Sequence, residues 1–228
     1  MKASMRRAMV LLSATTMALL AITACSSGSS QEEVKARPLP EKPQELRPGE
    51  YRSEVFKPSV SFHVGKGWST DQPETSDYLE MGWAEKGGLA FTNVQKVYEP
   101  IHKPTETSTP KLVEAPEDLV GWFQHHPYLK TSKPEPVTVG GVRGQQFDVA
   151  AEDLPKDHLS VCGADCVDTI KGPSAQIIFS EGLKVHAIIL EDVKGETVYI
   201  DYGALATDFD KVAPEAQKVV ESVKWGGS

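Results

Sequence analysis

Apolar and polar residues alternate in short runs over most of the chain beyond residue 50, which is the period of half-buried β-strands. Val60, Phe62 and Val64 form one such run, and Leu79, Met81 and Trp83 form another. After a turn at Glu85-Lys86-Gly87-Gly88 the pattern resumes with Leu89, Phe91 and Val94. Five more strands are expected at residues 137–139, 144–150, 175–180, 184–191 and 196–202. Gly140-Gly141, Glu181-Gly182 and Lys194-Gly195 separate them where tight antiparallel hairpins need turns. The stretches 100–116 and 151–173 show no clear period and read as loops.

Two helices interrupt the strands. One is expected from about Pro116 to His126, with Pro127 ending it. The other begins near Thr207, where Thr207-x-x-Asp210 has the spacing of a capping box. Phe209, Val212, Ala213, Ala216, Val219, Val220 and Val223 fall on one stripe at 3.6 residues per turn, so this helix should lie on a sheet. Pro214 predicts a first turn, a kink and then the main body.

The first 50 residues are different in kind. Lys2, Arg6 and Arg7 precede a largely apolar run from Ala8 to Ile22, which is too short and too interrupted for a comfortable membrane span of about 20 residues. A cationic start, an apolar middle and small residues before Cys25 make residues 1–24 an export leader. Ile22-Thr23-Ala24-Cys25 resembles the lipobox of bacterial lipoproteins, which implies that Cys25 becomes a lipidated first residue of the mature chain. Residues 25–50, polar and rich in Pro and Ser, then read as the lipidated cysteine and a disordered tether, with a single domain over residues 51–228. The expected location is the extracytoplasmic face of the cell membrane, with the covalent lipid as the membrane contact.

Charge narrows the partners. The chain carries a formal −8, and loss of the leader removes only basic residues, so the mature protein is more acidic still. An acidic surface repels phosphate backbones, which argues against nucleic acid as a partner. The two cysteines beyond Cys25 are Cys162 and Cys166, four positions apart. In an oxidising compartment such a pair forms a disulfide. With His158 they also spell H-x3-C-x3-C, whose thiolates and imidazole would suit copper or zinc, or thiol redox chemistry. Both readings stand at this stage.

The order of strands and helices, the opening Pro58-Ser59-Val60-Ser61-Phe62, the block Val139-Gly140-Gly141-Val142-Arg143-Gly144 and the closing helix together resemble the PsbP-like domain. With the lipobox, the chain is similar to actinobacterial envelope lipoproteins of the LpqN type. That resemblance implies an α+β fold, an antiparallel sheet flanked by helices in an α/β/α sandwich, and an accessory or binding role without a catalytic centre.

Searching for chemistry yields little else. There is no Gly-x-Ser-x-Gly elbow, no H-E-x-x-H and no phosphate loop after a strand, so no catalytic residue, cofactor or resident metal is expected. His125 and His126 are adjacent and diverge by about 100° on a helix, with His126 on the apolar face beside Leu119, Trp122 and Phe123. The acidic pairs Glu117-Asp118, Glu152-Asp153 and Glu191-Asp192 diverge in the same way. The expected function is a non-enzymatic binding module for an envelope protein or an amphiphilic ligand. A metal or thiol-redox role through His158, Cys162 and Cys166 is the alternative.

Overall fold

The computed structural model describes residues 35–101, 110–154 and 166–226. They belong to one unit that begins at Val34. In chain order the elements are β1 (Arg37–Pro38), β2 (Gln44–Glu45), β3 (Gly49–Arg52), β4 (Val60–Val64), β5 (Trp68–Thr70), β6 (Tyr78–Trp83) and β7 (Gly87–Asn93). Next come β8 (Lys96–Glu99), β9 (Lys111–Glu114), α1 (Leu119–Gln124), β10 (Leu129–Thr131), β11 (Glu135–Val139) and β12 (Val142–Ala151). The chain closes with β13 (Cys166–Lys171), β14 (Gln176–Ser180), β15 (Leu183–Val193), β16 (Glu196–Leu205), α2 (Phe209–Glu221) and β17 (Lys224–Trp225).

A nine-stranded sheet in the order β10-β12-β15-β16-β7-β6-β5-β2, with β11 also on β12, forms the middle layer. All of its pairings are antiparallel. Pleating sends successive residues to opposite faces, and in β15 and β16 both faces are apolar. Ile188, Leu190, Val198 and Ile200 enter one core, while Ala187, Ile189 and Tyr199 enter the other. A strand buried on both sides needs a layer on each side.

The first face is covered by α2 and by a small sheet β1-β3-β4-β17. The stripe read from the sequence is the buried side of α2, with Phe209, Val212, Ala216, Val219, Val220 and Val223 in this core. The helix runs without interruption through Pro214, and Asp208 rather than Thr207 is its N-cap. The Asp208 carboxylate makes no cap hydrogen bond and instead accepts from Lys211 Nζ at 2.8 Å. Phe62 stacks on Phe91 at 5.9 Å, and Trp225 meets Phe91 edge-on at 6.2 Å. Gly140, at φ +57°, sits against Trp225: a Cβ there would lie 2.6 Å from its Cδ1. Trp225 Nε1 donates to Val139 O at 3.0 Å, which ties the C-terminal strand to this turn.

The second face is covered by α1 and a small sheet β14-β13-β8-β9. Phe123 of α1 is the hub, within 6.1 Å of Phe147, Phe179 and Tyr199. Asp118 caps α1 by accepting from Gly121 N at 2.7 Å, so the helix starts later than the Pro116 expected. Asp77 fastens the small sheet to the large one. Its carboxylate accepts from Ser174 N in the β13–β14 turn at 2.9 Å and from Thr75 Oγ1 at 3.1 Å.

The fold is therefore mostly antiparallel sheet with two short helices, and each outer layer is shared between a helix and a small sheet. It departs from the expected α/β/α sandwich because six residues of α1 and thirteen of α2 are too few to cover nine strands. The domain boundary also needs correction. Residues 35–50, expected to be tether, contribute β1, β2 and the start of β3, and Leu39 and Leu46 are buried in the first core. β1 runs parallel to β3, with Arg37 opposite Tyr51 and its guanidinium 4.4 Å from that ring.

Leu46→Ala should accordingly destabilise the protein by about 2–5 kcal/mol, as for other buried leucines. Chemical denaturation of the two proteins measures this, and an unchanged midpoint would restore the tether reading of this segment.

Candidate binding site

Two features of the central sheet stand out, and both arise from strand register. β12 pairs with β15 from Gln145–Ile189 to Val149–Val185, and there the strands part. Ala150 and Ala151 go on to pair with Lys130 and Leu129 of β10, whereas Leu183 and Lys184 pair with Leu205 and Ala204 of β16. The wedge between them is a cavity of about 530 Å³ whose walls are chiefly apolar, among them Val149, Ala151, Leu183 and Ala206. Lysines stand at its rim. Lys130 pairs with Glu152 at 3.0 Å, and Lys184 lies 4.4 Å from the Phe209 ring centre and 3.9 Å from Asp148.

Beside the wedge, Asp148 accepts from or pairs with His186 Nδ1 at 2.9 Å, and His186 Nε2 faces Gln146 Oε1 at 3.3 Å. The imidazole stacks on Tyr202 at 4.9 Å, and Tyr202 stacks on Phe209 at 6.4 Å. Burial, with Asp148 and Glu221 nearby, pushes the Tyr202 phenol up to about 12. Both ring nitrogens of His186 are thus engaged, and the ring is held against Tyr202.

The second feature lies toward the other side of the sheet. Tyr78, Thr92 and Tyr199 are opposite one another on β6, β7 and β16, and Glu80, Ala90 and Asp201 form the next row on the same face. Tyr199 and Thr92 are fully buried, and the Tyr199 hydroxyl, Thr92 Oγ1 and Asp201 Oδ1 are buried without a hydrogen-bond partner. Burial first, and then the Glu80 carboxylate, raises Asp201 from its ordinary value of 3.8 to about 7. The Tyr78 and Tyr199 phenols are pushed up as well, chiefly by burial and secondarily by these same carboxylates.

The residues singled out by sequence sit elsewhere. Cys25, His158 and Cys162 lie outside the described residues, as does the leader. Cys166 opens β13, fully inside the fold, and its sulfur is disulfide-bonded rather than a free thiol. It is not available as a thiolate ligand. The expectation that 151–173 forms a loop is corrected at its end, since Val167 and Ile170 of β13 are buried in the second core. β9, Lys111–Glu114, likewise lies inside the stretch 100–116 read as loop and corrects it, while β8 borders that stretch. His126 is a core residue, with its ring 5.0 Å from Trp122, and His125 Nδ1 contacts Gly121 O at 2.7 Å at the helix end. Of the acidic pairs, Asp118 caps α1, and Asp192 accepts from Gly195 N at 2.9 Å in the β15–β16 turn. Among the described residues no three His, Cys, Asp or Glu side chains are grouped to hold a metal. No helix among them is long and apolar enough to cross a membrane.

No protein-family model matches the sequence, and no curated protein does. Two solved structures are similar over most of the chain. One is LpqN of Mycobacterium tuberculosis, described as involved in cell envelope biogenesis, with 9% identity, a TM-score of 0.37, and coverage of 80% of this chain and 90% of that one. The other is the cyanobacterial PsbP (CyanoP) of Synechocystis sp. PCC 6803, with 10% identity, a TM-score of 0.38, and coverage of 79% of this chain and 94% of that one.

The raised Asp201 makes a pH prediction. Between about pH 4 and pH 7 the unfolded chain releases this proton while the folded protein keeps it, so this group makes stability fall as pH rises through that window. Asp201→Asn should remove the slope. At pH 8 the variant should be more stable by on the order of 2 kcal/mol, less than the 1.36 kcal/mol per unit of the whole shift would give. At pH 4 the two proteins should unfold alike in urea.

Proposed function

We propose that the protein is an extracytoplasmic lipoprotein, anchored through lipid on Cys25, whose folded domain is a non-enzymatic binding module of the cell envelope. The observation that carries the binding role is the wedge between β12 and β15. It is a preformed apolar cavity opening where two neighbouring strands part, the kind of concavity that takes the apolar part of a ligand. Lysines at its rim, beside Asp148 and Glu152, give the mouth a polar border. An amphiphile with one apolar chain fits that division of apolar wall and charged rim. The bonded sulfur of Cys166 favours a structural bridge to Cys162 over the metal or thiol-redox reading.

The anchor follows from Ile22-Thr23-Ala24-Cys25 behind its apolar leader. Stable anchoring takes more than one acyl chain, which a diacylglyceryl cysteine supplies. Wild-type protein should sediment with membranes, and Cys25→Ser should lose both the lipid mass and the sedimentation. Recovery of the same lipid-bearing mass from Cys25→Ser would refute the anchor.

For the binding role, a fluorescent long-chain lysophospholipid should bind purified protein saturably. Leu183→Glu, which places a charge on the cavity wall, should weaken that binding at least tenfold with the circular dichroism unchanged. Equal affinity in the variant, or no binding by wild type, would remove the wedge from consideration.

A further inference from the structure

We propose that Tyr78, Glu80, Tyr199 and Asp201 form a second binding site, distinct from the wedge, that takes the primary ammonium group of a small amine. The placement is set by register. Tyr78 and Glu80 stand on β6, Tyr199 and Asp201 on β16, and β7 runs between them with Thr92 and Ala90. Two inter-strand steps separate Glu80 from Asp201, roughly 10 Å between their backbones. The residue between the two carboxylates is Ala90, the smallest side chain of that row and itself buried.

Three oxygens in this cluster lack partners. Asp201 Oδ1, the Tyr199 hydroxyl and Thr92 Oγ1 are each buried, and none is hydrogen-bonded. Native proteins leave only a few buried polar atoms unsatisfied per hundred residues, so three of them in two adjacent rows point to a place for a guest. The mouth is formed by Glu80 and the rest of Asp201, which are half-buried and reach solvent.

Electrostatics select the guest. Among the described residues neither Glu80 nor Asp201 forms an ion pair; Glu80 accepts from the neutral Gln72 amide at 2.8 Å and from the Tyr78 hydroxyl. Every neighbouring charge acting on Asp201, Tyr78 and Tyr199 is negative. The cluster is therefore an uncompensated negative site with acceptors at its base. A primary ammonium supplies one positive charge and three N–H donors, matching three unpaired oxygens. The half-buried Tyr78 ring adds a favourable surface for a cation. A quaternary ammonium has the charge but no donor, and an alcohol has a donor but no charge.

The experiment uses n-butylammonium chloride as the probe, with tetramethylammonium chloride and n-butanol as controls, on the purified mature protein at pH 8. Calorimetric titration should show saturable binding of n-butylammonium and none of either control. Ala90→Leu, which puts a larger side chain between the carboxylates, should abolish it, and Asp201→Asn should weaken it at least tenfold. Tyr199→Phe is a milder variant that keeps the core ring and should weaken binding severalfold should Ala90→Leu fail to fold. Leu183→Glu should bind the amine normally, which separates this site from the wedge. Ethanolamine in solution and vesicles containing phosphatidylethanolamine then distinguish a free amine from a lipid headgroup. No binding by wild type, equal binding of a control, or binding unaffected by Ala90→Leu and Asp201→Asn would overturn the proposal.

Discussion

The β15–β16 hairpin governs the rest of the molecule, because its middle is apolar on both faces and needs cover on each. Nine residue pairs register across it, from Leu183–Leu205 to Val193–Glu196. Each strand has consecutive residues in opposite cores, Ile188 beside Ile189 and Val198 beside Tyr199. An antiparallel sheet with one wet face would need only one packing layer. Here two are required, and the short helices cannot provide them alone. That is why the chain spends β1, β3, β4 and β17 on one side and β8, β9, β13 and β14 on the other.

Both candidate sites lie where this covering scheme reaches its limit. The wedge forms at the place where β12 and β15 stop pairing and turn to different neighbours, so backbone geometry rather than any one side chain creates it. The acid and tyrosine cluster lies on β6, β7 and β16, where the sheet face carries polar rather than aliphatic residues within the second core. Its cost is visible in the unsatisfied oxygens and in the displaced titration of Asp201. Departures from good packing in an otherwise consistent fold are where function is most reasonably sought.

Much of the sheet was legible from sequence. Where a strand has one face more buried than the other the period of two shows through, as in β6 and the end of β12, and Gly turns mark the ends of β7, β12 and β15. The stripe of α2 was readable for the same reason, since a helix with one buried side announces it. The N-terminal strands were not. Leu39, Leu46 and Tyr51 are too far apart to make a period, and the prolines between them resemble a linker, yet each is buried by an element distant in sequence. In β13, Asp168 and Thr169 are buried together with Val167 and Ile170, so no alternation exists to be found. The polar cluster was hidden differently. Glu80 and Asp201 sit at positions that read as the solvent side of their strands, and only the second covering layer turns that side inward.

The small sheet β1-β3-β4-β17 has a further consequence, for the order in which the chain can finish folding. Its outermost strands come from the two ends of the described chain, Arg37–Pro38 and Lys224–Trp225, with β3 and β4 between them. Lys224 pairs with Ser61, and Trp225 with Val60, across nearly the whole sequence. Contacts of such separation form late, since the intervening loop must be closed before they reward it. A chain emerging from a ribosome or a membrane pore in the N-to-C direction therefore holds β4 with an unpaired edge until Lys224 and Trp225 are free. The two ends of the described chain are the two edges of one small sheet, and moving the chain break to a surface turn such as Lys194-Gly195 would change the order in which those edges emerge, at the cost of the Gly195–Asp192 hydrogen bond of that turn.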